Sequence, residues 1–457
     1  MFAGFDYGSA NCAIGVMDGG QTRLLPLAED GNYMPSTIYA MERELISESV
    51  LQRLPSAAQA DFKPKRAAEL SRARTARLEL DLLANEQAVF IGNQAIETYM
   101  EMPEEGFYVR SPKSFLGASG LLSNQMALFE DIVTLMMQEI HTRAQQSLKQ
   151  AISQVVIGRP VNFQGIGGEQ SNRQAEAILT LGARRAGFTD VAFLYEPMAA
   201  ALEFESTLTR EQRVLVVDIG GGTSDCSFVR MGPELKDKKD RSDDCLGHSG
   251  QRVGGNDLDI ALAMAGFMPH LGLGSALITG KPMPRQPFWN AVAVNDVSAQ
   301  REFSALSSRK LIEELQRDAK EQAKLARLLK VQKDQLGYRL VRSAEQLKIA
   351  LSDSKQAAMD IGFVEAPKPQ PLTVNVDAAT FVAAIDESLE TVHKLITQAL
   401  AEGGCQPDVI YLTGGSAKSP YITEQIRARF PDVALVSGDH FGSVVAGLTR
   451  WAERLYR

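Results

Sequence analysis

Two short stretches combine aspartate, hydroxyl and glycine residues in one pattern. Asp6-Tyr7-Gly8-Ser9-Ala10-Asn11 follows an apolar run, and Asp218-Ile219-Gly220-Gly221-Gly222-Thr223-Ser224-Asp225 follows another. A glycine turn between strands removes side chains, so backbone N–H groups can approach an anion closely. Ser9 and Thr223 add hydroxyl donors, and an aspartate at each strand exit can face a hydrated Mg²⁺. Two such turns, about two hundred residues apart, suit two related lobes gripping one polyphosphate from opposite sides. Ordinary β-hairpins are the plainer explanation, and for the first turn alone it is the better one. Three consecutive glycines between Asp218 and Asp225 are hard to explain by packing. No Lys-Ser/Thr follows them, and a strand rather than a helix comes next, which excludes a P-loop and a Rossmann turn. Thr413-Gly414-Gly415-Ser416 is a third glycine turn, against which a ribose or a flat heteroaromatic ring can lie.

The elements that would hold these turns alternate between strand and helix, which makes the chain α/β. Phe2 to Met17 reads as two strands, and Met17-Asp18-Gly19-Gly20-Gln21 as a hairpin turn. Asp30-Gly31-Asn32 reads as another turn. From Glu42 to Glu86 the chain turns polar and basic, with Lys63, Lys65, Arg66, Arg72, Arg74 and Arg77. Helix is expected after Pro64, and the charges read as a solvated helix face. Gln125 to Gln150 and Ser171 to Ala186 have helical spacing, and Gly187 suits a C-cap. Val155 to Arg159, Ala192 to Tyr195, Val214 to Asp218 and Val409 to Leu412 are buried strands, and Glu196-Pro197 opens a helix. Ser298 to Leu336 holds no Gly or Pro and predicts one long helix, striped by Ile312, Leu315, Ala319, Ala323, Ala326 and Leu329. It would pack as an antiparallel pair on Ser343 to Leu351, with a coiled-coil dimer as the alternative. Pro367 to Pro371 is a stiff connector.

Composition bounds the function. The chain has 457 residues, 44% hydrophobic and 23% charged, as expected of a globular protein with several domains or subdomains. It lacks an uncharged apolar run long enough to span a membrane and has no basic, apolar leader at its start. The net charge of -8 argues against nucleic acid or an anionic membrane as the main partner. Cys12, Cys226, Cys245 and Cys405 form no C-x-x-C pair and read as free thiols, which places the protein in the cytoplasm. With five scattered histidines, any metal should be hard and bound through oxygen.

In this order the turns resemble those of the actin-like ATPase superfamily, and more closely the nucleotide-binding domain of the 70-kDa heat-shock-protein (DnaK-type) chaperones. Tyr195-Glu196-Pro197-Met198-Ala199-Ala200-Ala201 is similar to that family's N-E-P-T-A-A-A. Val156 to Phe163, then Asn172-Arg173-Gln174-Ala175, resembles its V-P-x-x-F and R-Q-A segments. Gly254-Gly255-Asn256-Asp257-Leu258-Asp259 resembles G-G-x-D-F-D, Glu345 to Ser352 resembles E-x-x-K-x-x-L-S, and Gly414 to Pro420 resembles G-G-S-T-R-I-P. The resemblance implies two duplicated lobes, each a mixed five-stranded sheet with helices and an inserted subdomain, around a central nucleotide cleft. Lobe I would span 1–208 with an insertion at about 42–125, completed by 434–457. Lobe II would span 209–433 with an insertion at about 256–372.

It also implies ATP or ADP with Mg²⁺ as cofactors. Asp6 and Asp218 would hold the ion through water. Gly8, Ser9, Ala10, Asn11, Gly220, Gly221, Gly222 and Thr223 would line the phosphates, with Gly254 and Gly255 beside them. Glu196 and Asp225 would position the attacking water, with Asp225 as proton acceptor. Glu345, Lys348 and Ser352 would face ribose and adenine, and Gly414, Gly415, Ser416 and Lys418 would close that pocket. Three departures stand out. The family has a Lys shortly after V-G-x-A-A; here Ile91-Gly92-Asn93-Gln94-Ala95 leads to Ile96, so fast hydrolysis is not expected and a Lys at 96 should raise turnover. Arg110 and Lys113 are the nearest cations, and Lys113 falls on the family's K-R-L-I-G stretch. Ile349 and Lys418 replace the two arginines that flank adenine. The sequence reaches Arg457 without an acidic-hydrophobic linker or a peptide-binding β-sandwich, so a separate client or co-chaperone is the expected partner.

The expected function is therefore a slow chaperone-type ATPase acting as a conformational switch. A metabolite kinase or phosphatase, a filament-forming relative and a non-hydrolysing nucleotide sensor are the alternatives. Gln164 to Glu169 and Pro282 to Ala305 match nothing in the family. Phe288, Trp289 and Phe303 in the latter form either a local core or a partner surface.

Overall fold

Runs of Val, Ile and Leu bounded by glycine turns become the strands of two sheets built alike. The computed structural model describes residues 1–457 except 30, 104, 164–167, 237, 239–240, 367 and 439–441. The first sheet runs Gln21–Leu24, Asn11–Asp18, Phe2–Tyr7, Gln154–Arg159, Asp190–Tyr195. The second runs Cys245–Gln251, Ser224–Met231, Gln212–Ile219, Val409–Thr413, Ala434–Ser437. In each, an antiparallel meander on one side of the central strand meets two parallel strands on the other. The expected pair of five-stranded sheets is thus present, and the first gains a sixth, two-residue strand, Met34–Pro35, paired with Asn11 and Cys12. The parallel strands carry unbroken apolar runs because helices cover both their faces: Val155, Val156 and Ile157 are buried, as are Val409, Ile410 and Leu412. Ala434–Ser437 belongs to the second sheet, and the following helix, Ser443–Tyr456, returns to pack on the first.

The hairpin turn at Gly19-Gly20 forms with both glycines at positive φ, and Gly187 caps Gly168–Ala186 at φ 113°. Between the first sheet's strands sits an insertion. Its sheet of Val89–Ile91, Thr37–Ala40 and Phe107–Arg110 is joined by the helices Leu45–Arg53, Ser56–Lys65, Ala67–Glu79 and Asn93–Glu101. Helix begins before Pro64, which lies inside Ser56–Lys65, one residue before its end, and leaves the carbonyl four residues back without its helical N–H donor. The basic run is not simply a solvated face. Arg66 is buried against Asp131 (2.9 Å) and Glu130 (2.5 Å), and Arg77 against Glu48 (2.6 Å).

The long helix expected over Ser298 to Leu336 is broken into Val297–Ser304, Leu306–Asp318 and Gln322–Lys333. Ala305 and Ala319 take extended backbone (ψ 148° and 144°), and the chain folds back so that Leu306–Asp318 packs on Gln322–Lys333. Turning back buries Ile312, Leu315, Ala319, Leu325, Leu328 and Val331 in one core, which a straight helix could not. The expected partner, Gly337–Asp353, packs instead on Gly255–Gly266 and Gln286–Val292. Phe288 and Phe303 belong to that core, while Trp289 is partly exposed. Of the segments singled out in the sequence, Gln164 to Gly167, Asp30 and Pro367 lie outside the described residues.

Candidate functional site

The two aspartate–glycine turns meet. Each leaves a central strand of its sheet, and a Cβ on Gly221 would lie 2.7 Å from Ala10 Cβ, one on Gly222 2.8 Å from Ser9 Oγ. The contact is close enough that only glycine fits on the second turn. That turn is closed by Gly220 N–H donating to the Thr223 carbonyl (2.9 Å). It is then stitched to the start of Gly255–Gly266, where Gly255 and Asn256 N–H groups donate to the Gly220 and Gly221 carbonyls, each 2.8 Å. A Cβ on Gly254 would stand 2.7 Å from the Gly220 carbonyl oxygen. Gly414, at φ 88°, closes the third turn against Asp218 and Ile219.

A cavity of about 390 Å³ opens at this junction, within the size range of small-molecule sites. It is lined by Asp6, Gly8, Ser9, Ala10 and Asn11 of the first turn and by Asp218, Gly220, Gly221 and Thr223 of the second. Glu196, Gly255, Glu345, Lys348, Gly414, Gly415 and Ser416 complete the expected residues that line it. The others stand back. Gly222 and Gly254 shape the turn from behind. Asp225 is cross-strand neighbour to Asp218 and is buried, its Oδ1 accepting the Val161 N–H at 2.8 Å. Ser352 bonds back to the Lys348 carbonyl of its own helix, and Lys418 is exposed outside the cavity. These two are therefore corrections: neither Ser352, in the last turn of Gly337–Asp353, nor Lys418, at the end of Gly415–Lys418, is among the residues that line the cavity.

Four carboxylates stand together here: Glu196, Asp218 and Asp225 are buried and Asp6 is partly buried. Burial, and then the charge of Glu196, pushes Asp6 and Asp225 up to about 7, and the same causes take Asp218 well above the usual carboxylate range. A cation other than the lysine that Ile96 replaces stands at this cluster. Lys113, from the turn Pro112–Phe115, is buried with its Nζ bonded to Glu196 Oε1. Burial opposes its charge, but Glu196 and Asp6 together hold its proton more tightly than usual. Ile96 lines the cavity without contributing charge. The only hint of this in the sequence was that Lys113 aligns with a family lysine; its approach to Glu196, 83 residues on, has no local signature. Among the described residues no group of three His, Cys, Asp or Glu side chains could hold a metal ion directly.

On the far side, one face of Gly337–Asp353 presents Tyr338, Arg342, Glu345 and Lys348 at helical spacing. Glu345 Oε2 accepts from Arg110 (2.8 Å) and Arg342 (2.7 Å), and these cations hold its carboxyl below the ordinary value although burial works the other way. Lys348 pairs with Asp259 at 2.7 Å. Arg110, Asp259 and the tyrosines Tyr99, Tyr108 and Tyr338 were not anticipated as site residues, yet all line the cavity. Ile349 lines it too but is more than half exposed.

A family model described as Hsp70 protein matches residues 122–264 and 308–437. Among curated proteins, the Chaperone protein DnaK of Thermus thermophilus is 24% identical over 432 residues, covering 93% of this chain and 56% of its own length. The Chaperone protein DnaK of Deinococcus deserti is 24% identical over 427 residues (92% and 54%), and the Chaperone protein dnaK3 of Synechococcus elongatus 24% over 435 residues (93% and 46%). The chain spans about half the length of the curated relatives it matches.

Proposed function

The chain belongs to the Hsp70 protein family, and on that premise we propose that it is a chaperone-like, slowly hydrolysing ATPase that works as a nucleotide-driven switch. Its two sheets around one cleft are the actin-like ATPase fold of that family. The observation that carries the reading is the cluster of Asp6, Glu196, Asp218, Asp225 and Lys113, all but Asp6 buried, where the two glycine turns meet.

The donor set suits Mg²⁺. Four carboxylates face one buried ammonium; desolvation, and then the charge of Glu196, raises Asp6 and Asp218, and a cation there would relieve both. Asp6 and Asp218 would hold the ion through its water shell, and when bound it neutralises charge on the phosphates. The backbone from Gly8 to Asn11 and from Gly220 to Thr223 would receive the phosphate oxygens, with Ser9 and Thr223 hydroxyls as further donors. Glu196 and Asp225 orient a water. Its oxygen attacks the terminal phosphorus, the bond to the bridging oxygen breaks with the electron pair leaving on ADP, and Asp225 takes the water's proton. Lys113, fixed by Glu196, offsets the charge that develops. Asp225 stands behind the cavity wall, which supports slow turnover.

Lobe I is read as residues 1–208 completed by the helix Ser443–Tyr456, and lobe II as 209–437; the boundary expected at 434 moves because Ala434–Ser437 pairs with Val409–Thr413, and the insertions stay at about 42–125 and 256–372. Lobe closure on ATP and relaxation on ADP would be the output, passed to a protein client or co-chaperone. Four free thiols support a reducing, cytoplasmic setting, and among the described residues no helix is long and apolar enough to cross a membrane. A non-hydrolysing sensor is the alternative that Ile96 suggests, and the contact of Lys113 with Glu196 supports hydrolysis over it. The test is calorimetry with ATP, ADP and GTP, with and without Mg²⁺, then single-turnover phosphate release in the same sample. Mg-dependent ATP binding with slow release is expected. Binding without release would replace the ATPase by a sensor, and no binding would sink the reading.

A further inference from the structure

We propose that the space between the two insertions is a second binding site, for a small aromatic anion such as an aromatic carboxylate. A cavity of about 330 Å³ lies there, separate from the carboxylate-lined one. Its size suits a small molecule. Seven aromatic residues stand in the wall: Tyr99, Tyr108 and Tyr338, with Phe107, Phe115 and Phe129 from one side and Phe303 from the other. The amides in the wall are already engaged. Gln125 accepts the Leu122 N–H (2.9 Å), Gln300 donates to the Asn290 carbonyl (3.1 Å), and Gln332 donates to the Phe303 carbonyl (3.1 Å). Flat apolar surface is what they leave for a ligand.

Charge then selects among flat ligands. Arg43, from the first insertion, and Arg301, from the second, both line the cavity. Among the described residues neither guanidinium has a hydrogen-bond or ion-pair partner. Glu105 is the single acidic side chain in the wall and is exposed to solvent. The balance is positive, and a guanidinium without a partner beside an aromatic wall accepts a carboxylate or sulfonate bidentately. A ring in the chamber with its anionic group at the arginines would satisfy both features at once.

The site shares a wall with the other cavity. Tyr99, Tyr108 and Tyr338 line both. Tyr99 stacks on Tyr108 at 4.4 Å, and Tyr338 meets them edge-on at 5.9 and 5.0 Å. Tyr99 Oη donates to the Gln335 carbonyl at 2.9 Å, and Gln335 is held at φ 49°, a left-handed conformation that costs energy outside glycine. Tyr99 and Tyr108 belong to the first insertion and Tyr338 to the second, so a ligand bridging the insertions favours the arrangement in which this wall is closed. By linkage, whatever the nucleotide does to the wall alters affinity here, and the reverse. This coupling rests on the nucleotide reading; the site itself does not.

The test uses the full chain and naphthalene-2-carboxylate, titrated by calorimetry, with the uncharged 2-naphthalenemethanol as control. Saturable binding of the carboxylate is expected, with the alcohol weaker. Arg43→Gln/Arg301→Gln, at two solvent-accessible side chains, should weaken the carboxylate about tenfold. Ser304→Trp, which fills the chamber from its rim, should abolish binding. No saturable binding, equal affinity in the double variant, or an alcohol that binds as well as the acid would each overturn the site. Adding ATP and Mg²⁺ should shift the carboxylate affinity by about threefold or more. ATP that binds in the same cell without such a shift overturns the coupling. ATP that fails to bind sinks the nucleotide reading, and the second site is still decided by its own titration.

Discussion

Arg110 Nη2 donates to Glu345 Oε2 across 2.8 Å, and this bond joins the strand Phe107–Arg110 of one insertion to the helix Gly337–Asp353 of the other. Both side chains are mostly buried, and Asp259 lies 3.9 Å from the same guanidinium nitrogen. Both side chains line the cavity in which a nucleotide is proposed to sit.

Cutting that tie should loosen the cleft. Arg110→Ala is expected to speed release of a fluorescent ADP analogue by about tenfold, since losing a partly buried charged bond acts mainly on the off-rate. Stopped-flow displacement with excess ADP measures it. An unchanged off-rate would mean that the Tyr99–Tyr338 contact alone keeps the insertions together.

Lys113 should matter and Ile96 should not. Lys113→Met leaves Glu196 and Asp6 without their buried cation, and single-turnover hydrolysis is expected to fall on the order of 100-fold. Ile96→Lys is expected to give no gain, reversing the expectation drawn from the motif alone, because the cation is already supplied. A rise in turnover in Ile96→Lys would restore the earlier view.

The aspartates should separate by role. Asp225→Asn keeps its shape and is expected to leave ATP affinity near wild type while slowing hydrolysis by about 100-fold. Asp6→Asn should instead weaken Mg-dependent binding while leaving Mg-free binding little changed. Calorimetry and phosphate release on both variants check this, and equal hydrolysis in Asp225→Asn and wild type would remove Asp225 from the mechanism.

Gly254→Ala should damage the second phosphate turn from behind. Its Cβ would meet the Gly220 carbonyl oxygen and the Gly222 nitrogen, at 2.7 and 2.9 Å. Destabilisation of about 1–3 kcal/mol is expected, together with weaker nucleotide binding. Urea unfolding and ATP titration would show it; a variant as stable as wild type would mean the turn relaxes freely.

Local pattern was sufficient for the strands and the turns that leave them. A run such as Val214-Leu215-Val216-Val217 ending in Asp218 and three glycines has few structures open to it, because the apolar run demands burial and the glycines permit contacts no other residue allows. The same held for Glu196-Pro197, where a proline in the first turn starts a helix. Pattern failed where several folds satisfy the same spacing. Ser298 to Leu336 has the composition of one helix, yet folding back at Ala305 and Ala319 buries Leu325, Leu328 and Val331 in a core that a straight rod leaves in water. Ser352 and Lys418 sit within sound motifs, but the direction each side chain takes depends on how its element packs.

Lys113 and Glu196 stand 83 positions apart, and Arg110 and Glu345 stand 235 apart. No local preference encodes either pair. They meet because the first insertion shares one core with the first sheet and is tied to the second insertion, and burial then makes an unpaired charge costly enough that each must find its partner. The glycine turns and the aspartates that flank them could be read along the chain; which cation answers which carboxylate was decided only by the tertiary packing, within the first lobe for Lys113 and Glu196 and between the two insertions for Arg110 and Glu345.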